Sequence, residues 1–433
     1  MSSVVSDLLK DTPLPKFFKI KQTFPRPVIK PENIPSVVHS QLEAPKFADQ
    51  IKPGMRIAIT AGSRGLANYA RILKAIVDFC KKKGATPFVV PAMGSHGGAV
   101  AELQTSILNG YGITEEVIGC PIISSMEVKK IGLTPDGRDV YIDKNAAEAD
   151  GIIIYNRVKP HTCFRGPYQS GIMKMMAIGL AKQAGAENCH AQGYELLPKN
   201  IHMYGQAIID HAKMLFAVAT IENAYDETCK IACIHRDDVG DAEPVLLQEA
   251  TDLMPRILVD ACDVLIVDEL GKNFSGDGMD PNITGTFCTP YADGGIKSQY
   301  VCVLDLSPET QGNGIGIGMA NATTARCARK LDLEEMYPNS ITSVEVGSAR
   351  IPCVMKTDRE TIQLCVKICV GNDKDNPRIV RIPNSSFIQH IMLSEAYYSE
   401  VQGRDDIEIL SEPAPLPFDS EGNLLDLEPR VRS

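Results

Sequence analysis

A repeated succession of strand, loop and helix patterns constrains the fold of this chain more than any other sequence feature. Short apolar runs at Gly54–Ile59, Pro87–Val90 and Gly151–Tyr155 are typical of buried strands. Each run ends in a polar, glycine-containing loop, and a helical pattern such as Tyr69–Lys83 follows. Strands that alternate with helices are connected as βαβ units. The sequence therefore predicts an α/β fold with mostly parallel or mixed sheets.

The length of 433 residues predicts two domains, because a single hydrophobic core stops growing well before this size. Residues 1–258 are expected to form an N-terminal α/β domain that begins with an extended, proline-punctuated arm. Residues 259–410 are expected to form a smaller α/β domain, with a strand at Val264–Val267 and a helix at Ala322–Leu331. The segment 411–433 is predicted to be a surface tail.

Charge and hydropathy argue against two classes of partner. A formal net charge of -10 is unsuited to a phosphate backbone, so no nucleic-acid partner is expected. No run approaches the roughly 18 consecutive apolar residues of a membrane span, so no membrane association is expected. The N-terminus has no apolar signal-peptide core, which predicts a cytoplasmic protein. The sequence leaves the oligomeric state open.

The cysteines are expected to be structural. Thirteen cysteines without an export signal predict reduced thiols, and the absence of any CxxC motif gives no support to a structural zinc site. Cys365 and Cys369 lie in the segment TIQLCVKICV, whose alternation predicts a strand with both thiols in the core.

The stretch Val158–His190 is the strongest candidate for a functional site. It contains two histidines, three lysines and a Ser-Gly pair, directly after the strand predicted at Gly151–Tyr155. Open α/β sheets bind ligands at the carboxyl ends of their strands. Arg64 and His96 follow the two earlier strands in the loops AGSRG and GSHGG, so we expect them to converge with His161 at one edge of the sheet.

Taken singly, these side chains have structural as well as functional interpretations. His96 and His161 either face a ligand, where a pKa near 6.5 suits a general base, or belong to turns. Lys174, in the otherwise apolar helix Ile172–Ile178, either extends toward solvent or is a desolvated nucleophile. His190 is either a surface residue or a metal ligand.

The glycine run Gly312–Gly318 does not have the GxGxxG spacing of a dinucleotide-binding loop, since the last glycine position falls on Ile317 or Met319. An ordinary NAD-dependent dehydrogenase is therefore disfavoured. The alternating glycines instead predict close packing of a strand or turn.

The order and spacing of these motifs resemble the nickel-dependent lactate racemase family and its 2-hydroxyacid racemase and epimerase relatives. The resemblance covers roughly residues 50–345. The motifs are SRG at Arg64, GSHGG at His96, VKPH at His161, SGIMK at Lys174 followed sixteen residues later by His190, and GKNFSGDGMD at Lys272.

The resemblance implies a cofactor. Family members hold a nickel pincer nucleotide, a pyridinium mononucleotide whose two sulfur-bearing arms and ring carbon bind nickel. Lys174 would be the lysine to which this cofactor can be joined as a thioamide, and His190 would be the protein ligand to nickel. Ser170 and Gly171 would help to seat the cofactor and its phosphate in the N-terminal domain, with the active site in the cleft between the domains.

The resemblance also implies an isomerase that inverts C2 of a small-molecule 2-hydroxy acid by removing and returning hydride. His96 and His161 would be the acid–base pair, one on each face of the substrate. Arg64, Lys272 and Glu269 would bind the substrate, the two cations meeting its carboxylate and the developing oxyanion.

Departures from the lactate racemase pattern bear on the substrate. Ala61 stands where an acidic residue is expected to buttress Arg64, Glu269 stands where a glutamine is usual, and the chain has no tryptophan. These departures favour a substrate larger than lactate, such as a sugar acid, with lactate as the alternative. A non-catalytic nickel-nucleotide binding or carrier protein is a further alternative, because the same cofactor residues would permit it. The acid–base pair separates the two hypotheses, since a carrier has no need of both His96 and His161.

Overall fold

The computed structural model describes residues 3–425 and divides them into two compact units. The central unit runs from Pro25 to Met254, and the terminal unit joins the chain up to Phe24 to the chain from Pro255 onward. The predicted division placed the N-terminal arm in the first domain. The structure differs because the strand at Phe17–Gln22 pairs with strands of the terminal unit.

Within residues 3–425, the strands are β1 (Phe17–Gln22), β2 (Arg56–Ala61), β3 (Thr86–Pro91), β4 (Val128–Leu133), β5 (Asp139–Asp143), β6 (Gly151–Arg157), β7 (Met214–Glu222), β8 (Thr228–His235), β9 (Ala261–Leu270), β10 (Lys297–Leu306), β11 (Ala322–Thr324), β12 (Cys353–Met355), β13 (Ile379–Ile382), β14 (His390–Ser394) and β15 (Ile407–Ile409).

The α-helices of the same residues are α1 (Val4–Leu9), α2 (Ile34–Leu42), α3 (Pro45–Ala48), α4 (Tyr69–Lys82), α5 (Ala101–Gly110), α6 (Glu115–Ile118), α7 (Lys144–Ala147), α8 (Ile172–Lys174), α9 (Lys182–His190), α10 (Gly193–His211), α11 (Val239–Asp252), α12 (Pro281–Thr284), α13 (Ala325–Lys330), α14 (Leu333–Ser343), α15 (Asp358–Ile368) and α16 (Tyr398–Val401). A π-helical segment, Met175–Leu180, lies between α8 and α9.

The central unit is built on a five-stranded sheet with the order β3-β2-β6-β7-β8. All neighbouring strands are parallel except β7 and β8, which confirms the prediction of a mostly parallel or mixed sheet. Successive residues of β6 alternate between two buried clusters, with Ile152 and Ile154 on one face and Ile153 and Tyr155 on the other. Both faces of this strand are therefore covered, which explains its unbroken apolar run.

The terminal unit contains an eight-stranded sheet with the order β12-β11-β10-β9-β13-β14-β1-β15. The strands from β12 to β13 run parallel, and β14, β1 and β15 add antiparallel strands at one side. A separate two-stranded antiparallel pair, β4 with β5, belongs to the central unit. No helix within residues 3–425 is long and apolar enough to cross a membrane.

Several local predictions were wrong. Cys365 and Cys369 are buried as expected but lie in and just after helix α15. The buried positions 362, 365, 366 and 369 have helical spacing, while the apolar residues at 362, 364, 366 and 368 of the same segment alternate. The helix predicted at Ala322–Leu331 begins with strand β11, and α13 starts only at Ala325. The arm predicted as extended contains α1, α2 and α3.

The ends of the terminal unit also show close packing. Leu416 and Leu424 of the predicted surface tail are each 7% exposed, so its described part is anchored by apolar contacts, and its residues 426–433 lie outside the described chain.

A Cβ atom on Gly316 would lie 1.7 Å from the Asp277 carbonyl oxygen, which confirms the predicted close packing of the glycine run.

Candidate functional site

The loops after β2 and β3 both contact the π-helical segment that follows Lys174. A Cβ atom on Gly62 would lie 3.0 Å from the Met175 Cε atom. The Gly94 amide donates a hydrogen bond of 3.1 Å to the Gly179 carbonyl oxygen. The strand-end loops that carry Arg64 and His96 therefore pack on the helical stretch that connects Lys174 to His190. Isolated π-helical turns are often found at functional sites.

His161 and Lys174 form an amine–imidazole pair, with 2.6 Å between Nε2 and Nζ. The Cys163 amide donates to His161 Nδ1 at 3.1 Å, so Nδ1 is an acceptor and the proton of the neutral ring is on Nε2. Because Nε2–H then donates to Lys174, the Lys174 nitrogen must offer a lone pair. This geometry favours the uncharged, nucleophilic form of the Lys174 amine.

The surroundings of His161 keep its imidazole neutral. Burial lowers the pKa of His161 well below its ordinary value, and the positive charge of Arg165 lowers it further. The ring stacks on Phe164, with 4.2 Å between the ring centroids. The Arg165 guanidinium donates to the His161 carbonyl oxygen at 2.6 Å. His161 is therefore a neutral imidazole at neutral pH, with its proton on Nε2.

The loop that carries His161 is fixed at its base. Lys159 and Ser170 form an isolated antiparallel bridge, with amide-to-carbonyl distances of 2.7 and 3.1 Å. Inside this bridge, the buried Gln169 side chain accepts a hydrogen bond of 2.8 Å from the His161 amide. The extended geometry that Pro160 imposes on Lys159 suits this bridge.

His190, at the end of α9, has a tautomer suited to metal ligation. Its Nδ1–H donates to the Ala186 carbonyl oxygen at 2.7 Å, which leaves the lone pair on Nε2. A ligating histidine is usually held in this way by a hydrogen bond from its other ring nitrogen. Burial lowers the pKa of His190 and so favours the neutral ring that a metal requires.

His96 is exposed in a glycine-rich turn. Its Nδ1–H donates to the Met93 carbonyl oxygen at 2.8 Å, so Nε2 carries the lone pair. Gly97 and Gly98 follow with φ angles of 65° and 61°, which only glycine adopts without strain. The turn therefore presents the imidazole with its basic nitrogen directed away from its own loop.

The loop that carries Arg64 is anchored on both sides, while the arginine itself is exposed. Ser63 accepts a hydrogen bond of 3.1 Å from the Tyr111 hydroxyl. Glu222, at the end of β7, accepts the Ala67 amide at 2.5 Å and also pairs with Arg157. An acidic residue thus supports this loop from another strand.

Ser170 and Gly171 lie where the His161 loop meets α8. Ser170 is partly buried, and the Gly171 carbonyl accepts a hydrogen bond of 2.9 Å from the Asn156 side chain. A Cβ atom on Gly171 would lie 2.0 Å from Glu243 Oε1. The absence of a side chain at Gly171 therefore admits a carboxyl group from α11.

Glu243 is a buried acid that the sequence reasoning missed. It is 1% exposed and accepts the Met173 amide at 2.8 Å, at the first turn of the helix that carries Lys174. Burial raises its pKa to about 7, against the opposing effect of the backbone hydrogen bonds. The available signal was an acid within the apolar stripe of α11, between Val239 and Leu246.

Glu269 and Lys272 belong to the terminal unit, at the end of β9. Glu269 is 3% exposed, and its amide donates to the Pro383 carbonyl oxygen at 3.0 Å. The Lys272 ammonium donates to the Asn339 side chain at 2.5 Å. Within residues 3–425, no three His, Cys, Asp or Glu side chains lie together as a metal site.

The central unit is thus an α/β domain with a partly buried amine–imidazole pair, and two of its strand-end loops pack on the helical segment that follows the amine. Residues 9–197 of the chain match the family model of the lactate racemase N-terminal domain. The resemblance of the sequence motifs to the lactate racemase family is therefore confirmed for this domain, which the chain shares with that family.

A solved structure of a lactate racemase supports the fold. The lactate racemase apoprotein from Thermoanaerobacterium thermosaccharolyticum has a TM-score of 0.52 and 16% identity, over 86% of this chain and 98% of that chain. A Thermotoga maritima protein from structural genomics has a TM-score of 0.46 and 13% identity, over 65% of this chain and 72% of that chain. A comparison with curated protein sequences finds no match.

Proposed function

We propose that this protein racemises or epimerises 2-hydroxy acids at C2 with a bound nickel pincer nucleotide. The observation that carries the proposal is the Lys174–His161 pair, within a lactate racemase N-terminal domain. The pair provides a nucleophilic amine and a neutral imidazole for proton transfer within one hydrogen bond of each other. An isomerase of this class needs both groups.

The residues of the central unit fit the cofactor. An uncharged Lys174 amine could condense with a thioacid arm of the nucleotide to a thioamide, with the C–O bond of the thioacid broken and water lost, and His190 Nε2 has the lone pair that nickel would require. Ser170 would help to seat the nucleotide, together with the backbone around Gly171. When bound, the cofactor would supply the means of accepting hydride from C2 and returning it.

His96 and His161 would act on the substrate hydroxyl. Each has a ring nitrogen held by its own loop, which orients the imidazole before substrate binds. Inversion requires a base for each enantiomer, and two histidines from separate strand-end loops satisfy this requirement. His161 would exchange its Nε2 contact with Lys174 for one with the substrate once that amine is acylated.

The substrate would be bound by cations. Arg64 would hold its carboxylate, Lys272 would meet the developing oxyanion, and Glu269 would accept a hydrogen bond from a further hydroxyl. A buried carboxylate suits a polyhydroxylated acid better than lactate, so a sugar acid is the substrate we propose, with lactate as the alternative.

Lys174→Ala is expected to abolish any cofactor adduct, because Lys174 supplies the amine that contacts His161 Nε2. The protein is made in a host that synthesises the cofactor, and intact mass and nickel content are measured. Lys159→Ala, which removes a lysine from the neighbouring loop, is the matched control and should retain the adduct. An unchanged adduct on the Lys174 variant would assign the attachment to another residue, and a wild type with neither nickel nor adduct would refute the cofactor.

The non-catalytic alternative predicts the same adduct without turnover. Single-enantiomer 2-hydroxy acids are incubated with loaded protein in deuterated water, and the optical purity and C2 deuterium content of each acid are measured. We expect inversion without deuterium at C2, because returned hydride does not exchange with solvent. Deuterium at C2 would indicate proton abstraction instead, and no inversion of any acid would favour a carrier.

A further inference from the structure

Lys182 occupies an unusual position between Lys174 and His190. It begins α9 directly after the π-helical segment, and its side chain is 0% exposed. Its backbone has a φ angle of 57°, in the left-handed region. A buried ammonium and a left-handed non-glycine residue are each unfavourable, so specific contacts must compensate for both.

The compensating contacts come from two other segments. The Lys182 ammonium donates to the Pro91 carbonyl oxygen at 2.5 Å, at the last residue of β3. It also forms an ion pair of 3.2 Å with Asp143, which is itself 0% exposed and ends β5. Asp143 caps α7 with its other oxygen, at 3.0 Å from the Ala146 amide. One ammonium therefore joins the ends of two strands to the start of α9.

The segment held through Pro91 leads directly to His96. A Cβ atom on Gly179 would lie 2.6 Å from the Ala92 carbonyl oxygen, and the Gly94 amide donates to the Gly179 carbonyl at 3.1 Å. Met93, between them, accepts the hydrogen bond that orients the His96 ring. A change at Lys182 would therefore alter the position of His96 relative to the helical stretch of Lys174.

We propose that Lys182 is a positioning residue that holds the His96 loop against the helical stretch bearing Lys174 and His190. The inference rests on the proposed function, since it assigns His96 and Lys174 to one reaction. A buried ion pair contributes little net stability compared with apolar side chains of similar volume. Its directional contacts can instead fix the distance between two segments.

The loop itself provides the first test, on apoprotein. Lys182→Met combined with Asp143→Asn removes both charges, while the Asn oxygen can still cap α7. We expect hydrogen exchange at the Gly94 amide to accelerate by about tenfold or more. Ile231→Ala, on the opposite edge strand β8, destabilises the same unit at another place. In this control, the exchange rate at Gly94 should change only as far as the free energy of global unfolding changes.

Unchanged exchange at Gly94 in the folded double variant would overturn the proposal, whether or not the protein is a racemase. Should the double variant not fold, Lys182→Gln is measured instead. Its amide is uncharged and has two N–H donors in place of three, so a smaller acceleration is expected and no acceleration would refute the role.

The second test separates positioning from folding. In loaded protein, the double variant should retain the Lys174 adduct by mass and a KM within about twofold, while kcat falls by about tenfold or more through misplacement of His96. An equal loss of kcat in Ile231→Ala would show that the effect is one of stability and would refute positioning. Absence of activity in wild type would instead contradict the proposed function, and the exchange result would still decide the role of Lys182.

Discussion

Replacement of either His96 or His161 by glutamine is expected to lower the rate of inversion by about 10²–10⁴-fold, the usual contribution of a general acid–base group. Glutamine can keep one hydrogen bond to the loop but cannot accept a proton. The reaction in each direction uses both bases, so both directions should slow equally. The measurement is kcat for each enantiomer of the substrate identified from the panel.

The two single variants should differ in a way that a structural defect would not reproduce. Each retains the base for one enantiomer, so acid quenching should release 2-oxo acid from that enantiomer and not from its mirror image. The preferred enantiomer should be opposite in His96→Gln and His161→Gln. Equal amounts from both enantiomers in either variant would contradict the assignment of one histidine to each face.

Glu243→Gln is expected to remove a pH dependence of stability from the central unit. The pKa of Glu243 is raised from 4.5 to about 7 in the folded protein. A raised carboxyl pKa stabilises the fold most below the unfolded value near 4.5, and this contribution is lost as the pH rises through about 7. The wild type should thus lose about 3 kcal/mol across this window that the variant does not lose.

Urea unfolding of wild type and variant at pH 4.5, 6 and 8 measures this difference, since other titrating groups contribute equally to both proteins. Asp241→Asn, an exposed acid on the same helix α11, is the matched control and should run parallel to wild type. Parallel curves for Glu243→Gln and wild type would show that the buried carboxyl has no raised pKa.

The fold of the central unit could be predicted because its strands and helices have distinct periods. The apolar runs at β2, β3 and β6 are short and contain β-branched residues, and each leads into a polar, glycine-containing loop before the next helix. The strand predicted for the segment containing Cys365 was wrong, because its ten residues have a spacing that is compatible with both a strand and a helix. Membership of β1 in the terminal unit depends on pairing with residues about 370 positions later, which local patterns do not encode.

The candidate site residues could be identified from the sequence, whereas the buried residues that contact their helices could not. His161, Lys174 and His190 carried motif signals, and they lie close enough for Lys174 and His190 to act on the pKa of His161. Glu243 and Lys182 carry no motif, because their importance comes from burial against distant segments. In both cases the sequence shows a charged residue near apolar residues, but the distant segment that contacts this residue cannot be identified from one sequence.

The π-helical segment has a consequence for how this domain can vary in length. On an uninterrupted α-helix, two residues sixteen positions apart point in directions about 160° apart. The wide turn at Met175–Leu180 and the left-handed residue after it change this angle. The number of residues between Lys174 and His190 is therefore constrained, because loss of one residue would rotate His190 by about 100° about the helix axis. An insertion that an exposed loop could absorb would here move the Lys174 amine away from the proposed metal ligand, His190.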